Sequence, residues 1–197
     1  MHENLIFYSE NAQMLVAQYD SVPFESVHKD WLEFIPLNGS VLDIGAGSGR
    51  DARYLESKGL KVFAVEPALD LMELAINKSK YLDIIWLQDS LPTLGDVKSL
   101  GIKFNLILLS AVWMHLSPEE RHTSIQTLAP LLEIRGKLVV TLRHGEFSDG
   151  RTAFPVSADE VKELGDKHGL TIILKTEPTK DQLGRDEVTW QTLVLEK

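Results

Sequence analysis

The stretch Val41-Leu42-Asp43-Ile44-Gly45-Ala46-Gly47-Ser48-Gly49-Arg50 runs from a mostly apolar segment into a turn with glycine at three alternate positions. A short apolar run that stops at glycine reads as a buried strand. Glycine has no Cβ, so this turn is free to take positive φ and to let a ligand approach its backbone. Beyond it, Arg50–Lys58 reads as a helix stopped by Gly59. Strand, tight turn and helix in that order open an α/β sheet.

The alternation continues outward. Val62–Val65 is a second strand, Leu69–Lys78 a helix with Leu71, Leu74 and Ala75 on one side, Ile84–Leu87 a third strand and Phe104–Leu109 a fourth. The fourth is apolar but for Asn105, as expected of a strand covered on both faces. Ser117-Pro118-Glu119-Glu120 has the pattern of a capping box with proline at the first helical position, ahead of Ile125, Leu128 and Leu132 on one face. Lys137–Leu142 reads as a fifth strand after a turn at Gly136, and Ser157-Ala158-Asp159-Glu160 as a second capping box. Two β-like runs, Leu170–Lys175 and Val188–Leu195, flank a turn at Leu183–Asp186. Five alternations predict a parallel, doubly wound sheet, and two final strands without a helix between them predict one antiparallel member. Before the first strand, two short helices are expected, broken around Ser21-Val22-Pro23. The longest helix-poor stretch is His144–Val156, and loops of that length are often functional. With no repeat or linker, residues 1–197 are expected to form one domain, with a helical segment at 1–36 and an α/β core at 37–197.

Composition narrows the partners. The net charge of −9 disfavours nucleic acid and anionic membranes, which need a positive field, and favours a small molecule or another protein. No apolar run approaches the roughly 18 residues of a membrane span, and the start has no basic region ahead of an apolar stretch. With no cysteine, thiolate metal sites and a cysteine nucleophile are excluded, and a metal is not expected. A cytoplasmic location and a monomer or homodimer are the matching expectations.

Ligands of open α/β sheets bind beyond the carboxyl ends of the strands. Here those ends carry Asp43 through Gly49, then Glu66, Asp89, Ser110 and Arg143. A dinucleotide turn wants its third glycine where this chain has Arg50, so the register is off by one. Asp43 would repel a pyrophosphate and favour an ammonium group. S-adenosylmethionine has that ammonium and no phosphate. Glu66, ending the second strand, suits a ribose diol through charge-assisted hydrogen bonds. Asp89 suits an adenine amine, with Ser90 and Leu91 as its neighbours. The small residues Ser110 and Ala111 would let main chain line the methionine end.

With these residues the sequence resembles the class I S-adenosylmethionine-dependent methyltransferases of small-molecule type, well over residues 38–143 and in outline elsewhere. The resemblance implies a seven-stranded sheet in order 3-2-1-4-5-7-6 with strand 7 antiparallel and helices on both faces. It implies S-adenosylmethionine as cofactor, S-adenosylhomocysteine as product, and a cofactor-binding set of Asp43, Gly45, Ala46, Gly47, Gly49, Glu66, Pro67, Asp89, Ser90, Leu91, Ser110 and Ala111. It also implies that 1–36 closes over the site, with one of Tyr8, Tyr19 and Phe24 as its lid. Members that methylate base amino groups carry Asn/Asp-Pro-Pro-aromatic after strand four. This chain has Leu109-Ser110-Ala111-Val112 there, which disfavours that activity.

The acceptor is not legible in the sequence. Tyr8, Tyr19, Trp113, His115, Arg143 and Arg151 are the expected substrate-binding residues, and Arg143, Arg151 and Arg185 together would suit an anionic substrate. His115 and His144 are the candidate bases, although His115 reads equally well as packing on the fourth strand. His28, His122 and His168 read as surface groups on helices. The competing readings are a protein or nucleic-acid methyltransferase, a non-catalytic module that binds the nucleoside, and a nicotinamide oxidoreductase. Arg50 and Asp43 argue against the last.

Overall fold

The computed structural model describes residues 2–197. Its helices are α1 (His2–Glu10), α2 (Ala12–Asp20), α3 (Phe24–Val27), α4 (Arg50–Ser57), α5 (Leu69–Lys78), α6 (Gly95–Ser99), α7 (Pro118–Leu131) and α8 (Ala158–Lys167). Its strands are β1 (Ser40–Ile44), β2 (Lys61–Val65), β3 (Ile84–Leu87), β4 (Phe104–Leu109), β5 (Leu132–His144), β6 (Thr171–Lys175), β7 (Thr179–Lys180) and β8 (Thr189–Glu196). They form one sheet in the order β3-β2-β1-β4-β5-β8-β6, with the two-residue β7 paired to β8 off this path. β1 to β5 pair in parallel, and β8 runs antiparallel to both β5 and β6. This is the expected order, with β7 as an eighth strand too short to have a sequence pattern.

Strand side chains alternate between faces, and the core follows that parity. Leu42, Ile44, Phe63, Val65, Ile107 and Leu109 pack on one face with Val97 of α6, Ile125 and Leu128 of α7, and Val161 and Leu164 of α8. Val41, Val62, Ala64, Leu106 and Leu108 pack on the other with Ala52 and Leu55 of α4 and with Phe24 and Trp31. A third cluster joins Ala12, Leu15 and Val16 of α2 to Ala68 and Leu71 beside α5. It anchors the N-terminal helices over the carboxyl edge of the sheet.

Several elements differ from the sequence reading. The N-terminal segment holds two helices before Pro23, not one, and a short third after it. Leu132 is the first residue of β5, not the last of a helix, and Gly136 lies inside that strand. Pro130 stands in the final turn of α7, where proline discourages continuation. Arg135 takes φ 63°, and the register against β4 shifts between Phe104 and Leu106. A Cβ on Gly136 would lie 2.8 Å from the Glu133 carbonyl and 2.9 Å from that of Phe104. The glycine therefore marks a bulge rather than a turn. Ser117 and Glu120 do form the reciprocal capping box. At the second such pattern Ser157 accepts from the Asp159 N–H, while Glu160 accepts from Arg121 Nη1 at 2.8 Å.

Candidate functional site

The carboxyl ends of β1 to β5 share one edge of the sheet, and a cavity of about 520 Å³ opens there. Strand order reverses between β1 and β4, the position where open α/β sheets leave a crevice. Gly45, Gly47 and Gly49 all have positive φ, at 70°, 57° and 75°. The Gly45 and Ala46 N–H groups donate to the Val65 carbonyl at 2.8 and 2.9 Å, which fixes the turn against β2. A Cβ on Gly45 would come within 2.5 Å of Val112 Cγ2. At Gly47 the nearest atoms to such a Cβ are the ring carbons of Tyr19, at 3.5 Å. The space left open at Gly47 therefore belongs to the cavity.

Three carboxyl groups surround the turn. Glu66 is 5% exposed and lines the cavity just past β2. Its Oε2 accepts from the Gly47 N–H at 2.8 Å and its Oε1 from the Ala68 N–H at 2.9 Å. Burial pushes its carboxyl up to about 7, against these two hydrogen bonds. Asp89 follows β3. Its Oδ1 accepts from its neighbour Ser90 N–H, and its Oδ2 from the N–H groups of Asp96 and Val97 at the start of α6. Asp43, only 1% exposed, lies outside the cavity wall. Its Oδ2 has no hydrogen-bond partner among the described residues. Burial, and then the Asp51 carboxylate, hold Asp43 well above the usual carboxylate range.

The other side of the cavity comes from α1, α2, the end of β5 and the loops after β5 and β6. Ser110 and Ala111 line it past β4. The Ala111 N–H donates to Thr141 Oγ1 at 2.8 Å, and Ala111 has φ 59°. Tyr8 and Tyr19 face it from the N-terminal helices. Tyr8 Oη lies 2.9 Å from His115 Nε2 and receives a hydrogen bond from Arg151 Nη1 at 3.1 Å. His115 Nδ1 lies 3.2 Å from the Thr152 carbonyl and 3.1 Å from Asn4 Nδ2, so the two ring nitrogens divide one donor and one acceptor role between these groups and Tyr8. Asn4 closes this cluster, its amide paired to both the N–H and the C=O of Thr152 at 2.8 Å. Burial, with the charges of Arg151 and Arg143, pushes His115 down to about 4 although the Thr152 carbonyl favours its cation. The imidazole is neutral at physiological pH.

Phe147 sits between two guanidinium groups, with the Arg143 and Arg151 Cζ atoms each 4.0 Å from its ring centroid, and it stacks on His115 at 5.4 Å. Arg151 is paired with Asp149 at 2.6 Å, and Arg185 with Asp181 at 2.6 Å. Arg143 donates instead to the carbonyls of Gly145 and Glu146.

The cavity wall thus brings together the expected Gly45, Ala46, Gly47, Glu66, Pro67, Asp89, Ser90, Leu91, Ser110, Ala111, Tyr8, Tyr19, His115, Arg143 and Arg151. Four expected residues stand outside it. Gly49 caps α4, and Asp43 lies in the interior. Trp113 is 0% exposed in the core formed with α7, because the turn after β4 points the indole into the sheet rather than toward solvent. His144, the last residue of β5, pairs with Thr189. Phe24 is likewise core, stacked on Tyr54 at 3.9 Å.

The sequence reading also placed His28 on the surface, and the structure corrects this. His28 is 1% exposed, accepts from Trp31 Nε1 at 3.0 Å and donates from Nε2 to Asp51 Oδ2 at 2.8 Å. Arg50 Nε donates to the other Asp51 oxygen at 2.6 Å. Burial opposes the Asp51 charge, but His28 and Arg50 outweigh it and hold the carboxyl low. This chain of bonds ties residues 28–31 to the first turn of α4, directly behind the glycine turn. The aromatic Phe24-x-x-x-His28-x-x-Trp31 spacing was the one available signal for it. Thr141, Phe147 and Asn4 were the other functional-site residues that pattern reading missed.

Residues 41–136 match the family model described as a methyltransferase domain. This segment is similar to a methyltransferase domain. Two curated relatives are each named an uncharacterized methyltransferase. The Alkaliphilus oremlandii protein is 25% identical over 141 residues, covering 71% of this chain and 61% of its own. The Staphylococcus carnosus protein is 33% identical over 104 residues, covering 52% of this chain and 46% of its own. The chain thus spans less than two thirds of the length of either. Among solved structures, Burkholderia thailandensis 1,6-didemethyltoxoflavin-N1-methyltransferase, with bound 1,6-didemethyltoxoflavin and S-adenosylhomocysteine, superposes with TM-score 0.74 at 15% identity, covering 99% of this chain and 86% of its own. The shared feature is the fold.

Proposed function

We propose that this chain transfers a methyl group from S-adenosylmethionine to a small molecule. The observation that carries the proposal is Glu66, a buried carboxylate at the end of β2 that accepts from Gly47 of the glycine turn and faces the cavity. Each of its oxygens has one backbone donor and a lone pair to spare, which suits a ribose diol. The space beside Gly47 and the acidic residues Glu66 and Asp89 at the strand ends fit a cationic nucleoside without phosphates. In this reading Gly45, Ala46, Gly47, Pro67, Asp89, Ser90, Leu91, Ser110 and Ala111 line the cofactor's half of the cavity, with Asp43 and Gly49 supporting the turn. Residues 1–36 form the cover, through Tyr8 and Tyr19.

When bound, the cofactor supplies an activated methyl group on a sulfonium, so the protein's work is positioning and exclusion of water. Tyr8, Tyr19 and the loop after β5 close the acceptor's half. An acceptor hydroxyl or activated carbon has a proton to lose, and an amine or thiolate acceptor needs no base. His115 is the base we assign for the former: it is neutral, and its Nε2 takes the proton through the Tyr8 hydroxyl at 2.9 Å. That the didemethyltoxoflavin enzyme of the same fold holds a small molecule supports a small acceptor here. The test is methyl transfer from labelled S-adenosylmethionine into fractionated cell extract. Label in the small-molecule fraction supports the proposal, and label confined to protein or nucleic acid overturns the acceptor class.

A further inference from the structure

The two halves of the cavity differ in their charged lining, and Arg50 on the glycine-turn side is paired with Asp51. Sheet order separates the halves: Glu66 and Asp89 follow β2 and β3 on one side, while Arg143 ends β5 on the other, beside the loop that carries Asp181 and Arg185. In a chain with a net charge of −9, three guanidinium groups line the second half. Two are balanced, Arg151 by Asp149 and Arg185 by Asp181. Arg143 is not. It is 5% exposed, has no ion pair with any described residue, and its Nε has no partner among them. Its Nη atoms meet only the Gly145 and Glu146 carbonyls. A buried cation without a counter-charge is costly unless a ligand supplies one. Burial and the like charges of Arg185 and Arg151 disfavour the Arg143 charge, and the Asp181 and Asp149 carboxylates, each engaged with another arginine, offset this only in part. Phe147 holds the Arg143 and Arg151 guanidinium planes 4.0 Å from its ring centroid, which keeps both in place.

We infer that the methyl acceptor is a small organic anion whose carboxylate is bound by Arg143 beside Arg151 and Arg185. This rests on the proposed methyl transfer and names the acceptor class for the same cavity. Tyr8 and His115 adjoin Arg151, so an acid held there presents its nucleophile within reach of the assigned base. An arginine fork matches a carboxylate in two hydrogen bonds, and a neutral amide loses that match.

The experiment uses the full chain saturated with S-adenosylhomocysteine and a panel of probes: benzoate, phenylacetate, 4-hydroxyphenylacetate and indole-3-acetate, each against its primary amide. Ligand-observed NMR reads binding. The expected result is that at least one acid binds roughly tenfold or more tightly than its amide, with that preference lost in Arg143→Met and only partly restored in Arg143→Lys. Arg185→Gln is a second variant, expected to weaken the acid by a smaller factor, should Arg143→Met fail to fold. Equal binding of acids and amides, or binding of neither, overturns the inference. A parallel loss of S-adenosylhomocysteine affinity in Arg143→Met also overturns it, by assigning the guanidinium to the cofactor's own carboxylate. Failure of wild type to bind S-adenosylhomocysteine at all is the separate result that removes the underlying function.

Discussion

Tyr8 Oη lies 2.9 Å from His115 Nε2, a contact that joins the first helix to the turn after β4 across 107 positions of sequence. Arg151 donates to the same hydroxyl. Because burial holds His115 near 4, its neutral form persists through the physiological range. We therefore expect kcat/KM to show no loss attributable to histidine between about pH 5 and 8. An acid limb near pH 6.5 that disappears in His115→Gln would contradict this. Tyr8→Phe should lower kcat far more than it lowers stability, since the two hydrogen bonds it removes are worth about 1 kcal/mol each.

Glu66 should make the unliganded protein less stable at high pH. Its folded value of about 7 stands above the ordinary unfolded value of about 4.3, so the fold favours the protonated form. The stability held with the proton on is lost as pH rises through 7. Glu66→Gln lacks that loss. Urea denaturation should show wild type losing on the order of 2–3 kcal/mol relative to Glu66→Gln between pH 5 and pH 8. An unchanged difference would place the Glu66 carboxyl at its ordinary value.

The buried chain from Trp31 through His28 to Asp51 should matter to stability more than its distance from the cavity suggests. His28→Ala removes one donor to a buried carboxylate and one acceptor for a buried indole. The expected cost is roughly 3–5 kcal/mol, a fall in Tm on the order of 10 °C. Scanning calorimetry checks it, and a variant within 2 °C of wild type would show the pair to be dispensable.

The two glycines of the turn should separate fold from ligand. Gly45→Ala sets a Cβ 2.5 Å from Val112 Cγ2 at φ 70° and should destabilise the fold. Gly47→Ala meets only ordinary contact with Tyr19, so it should fold at a cost of about 1–2 kcal/mol for its left-handed backbone. Cofactor affinity should nonetheless fall, because the new methyl occupies the open space. Equal cofactor binding by Gly47→Ala and wild type would move the site away from this turn.

The sheet was readable because most of its strands are largely apolar runs closed by glycine or a polar residue, and parity along them sorts the two faces. The α6 helix was not, since it spans only Gly95–Ser99 and its start is made by Asp89, six positions upstream of its first residue. The start of β5 was hidden because Leu132 satisfies helical spacing equally well, and only pairing with Phe104 decides it. The cofactor's half of the cavity was legible, since its groups sit at strand ends in the first part of the chain. The acceptor's half was legible only as a dense polar stretch near Arg143. Asn4 and Asp181 come from distant segments, and Phe147, four residues after Arg143, is an aromatic that a polar pattern does not mark. His28 was misread because a polar residue on a short helix gives no sign of the buried Asp51 it meets.

The central claim is that the turn from Gly45 to Gly49, with Glu66 behind it, binds S-adenosylmethionine. Isothermal calorimetry of S-adenosylmethionine against wild type and Glu66→Ala tests it most directly. Wild type should bind saturably at one to one, and the variant about tenfold to a hundredfold more weakly with its fold retained by circular dichroism. No binding to wild type, or equal binding to both, would contradict it.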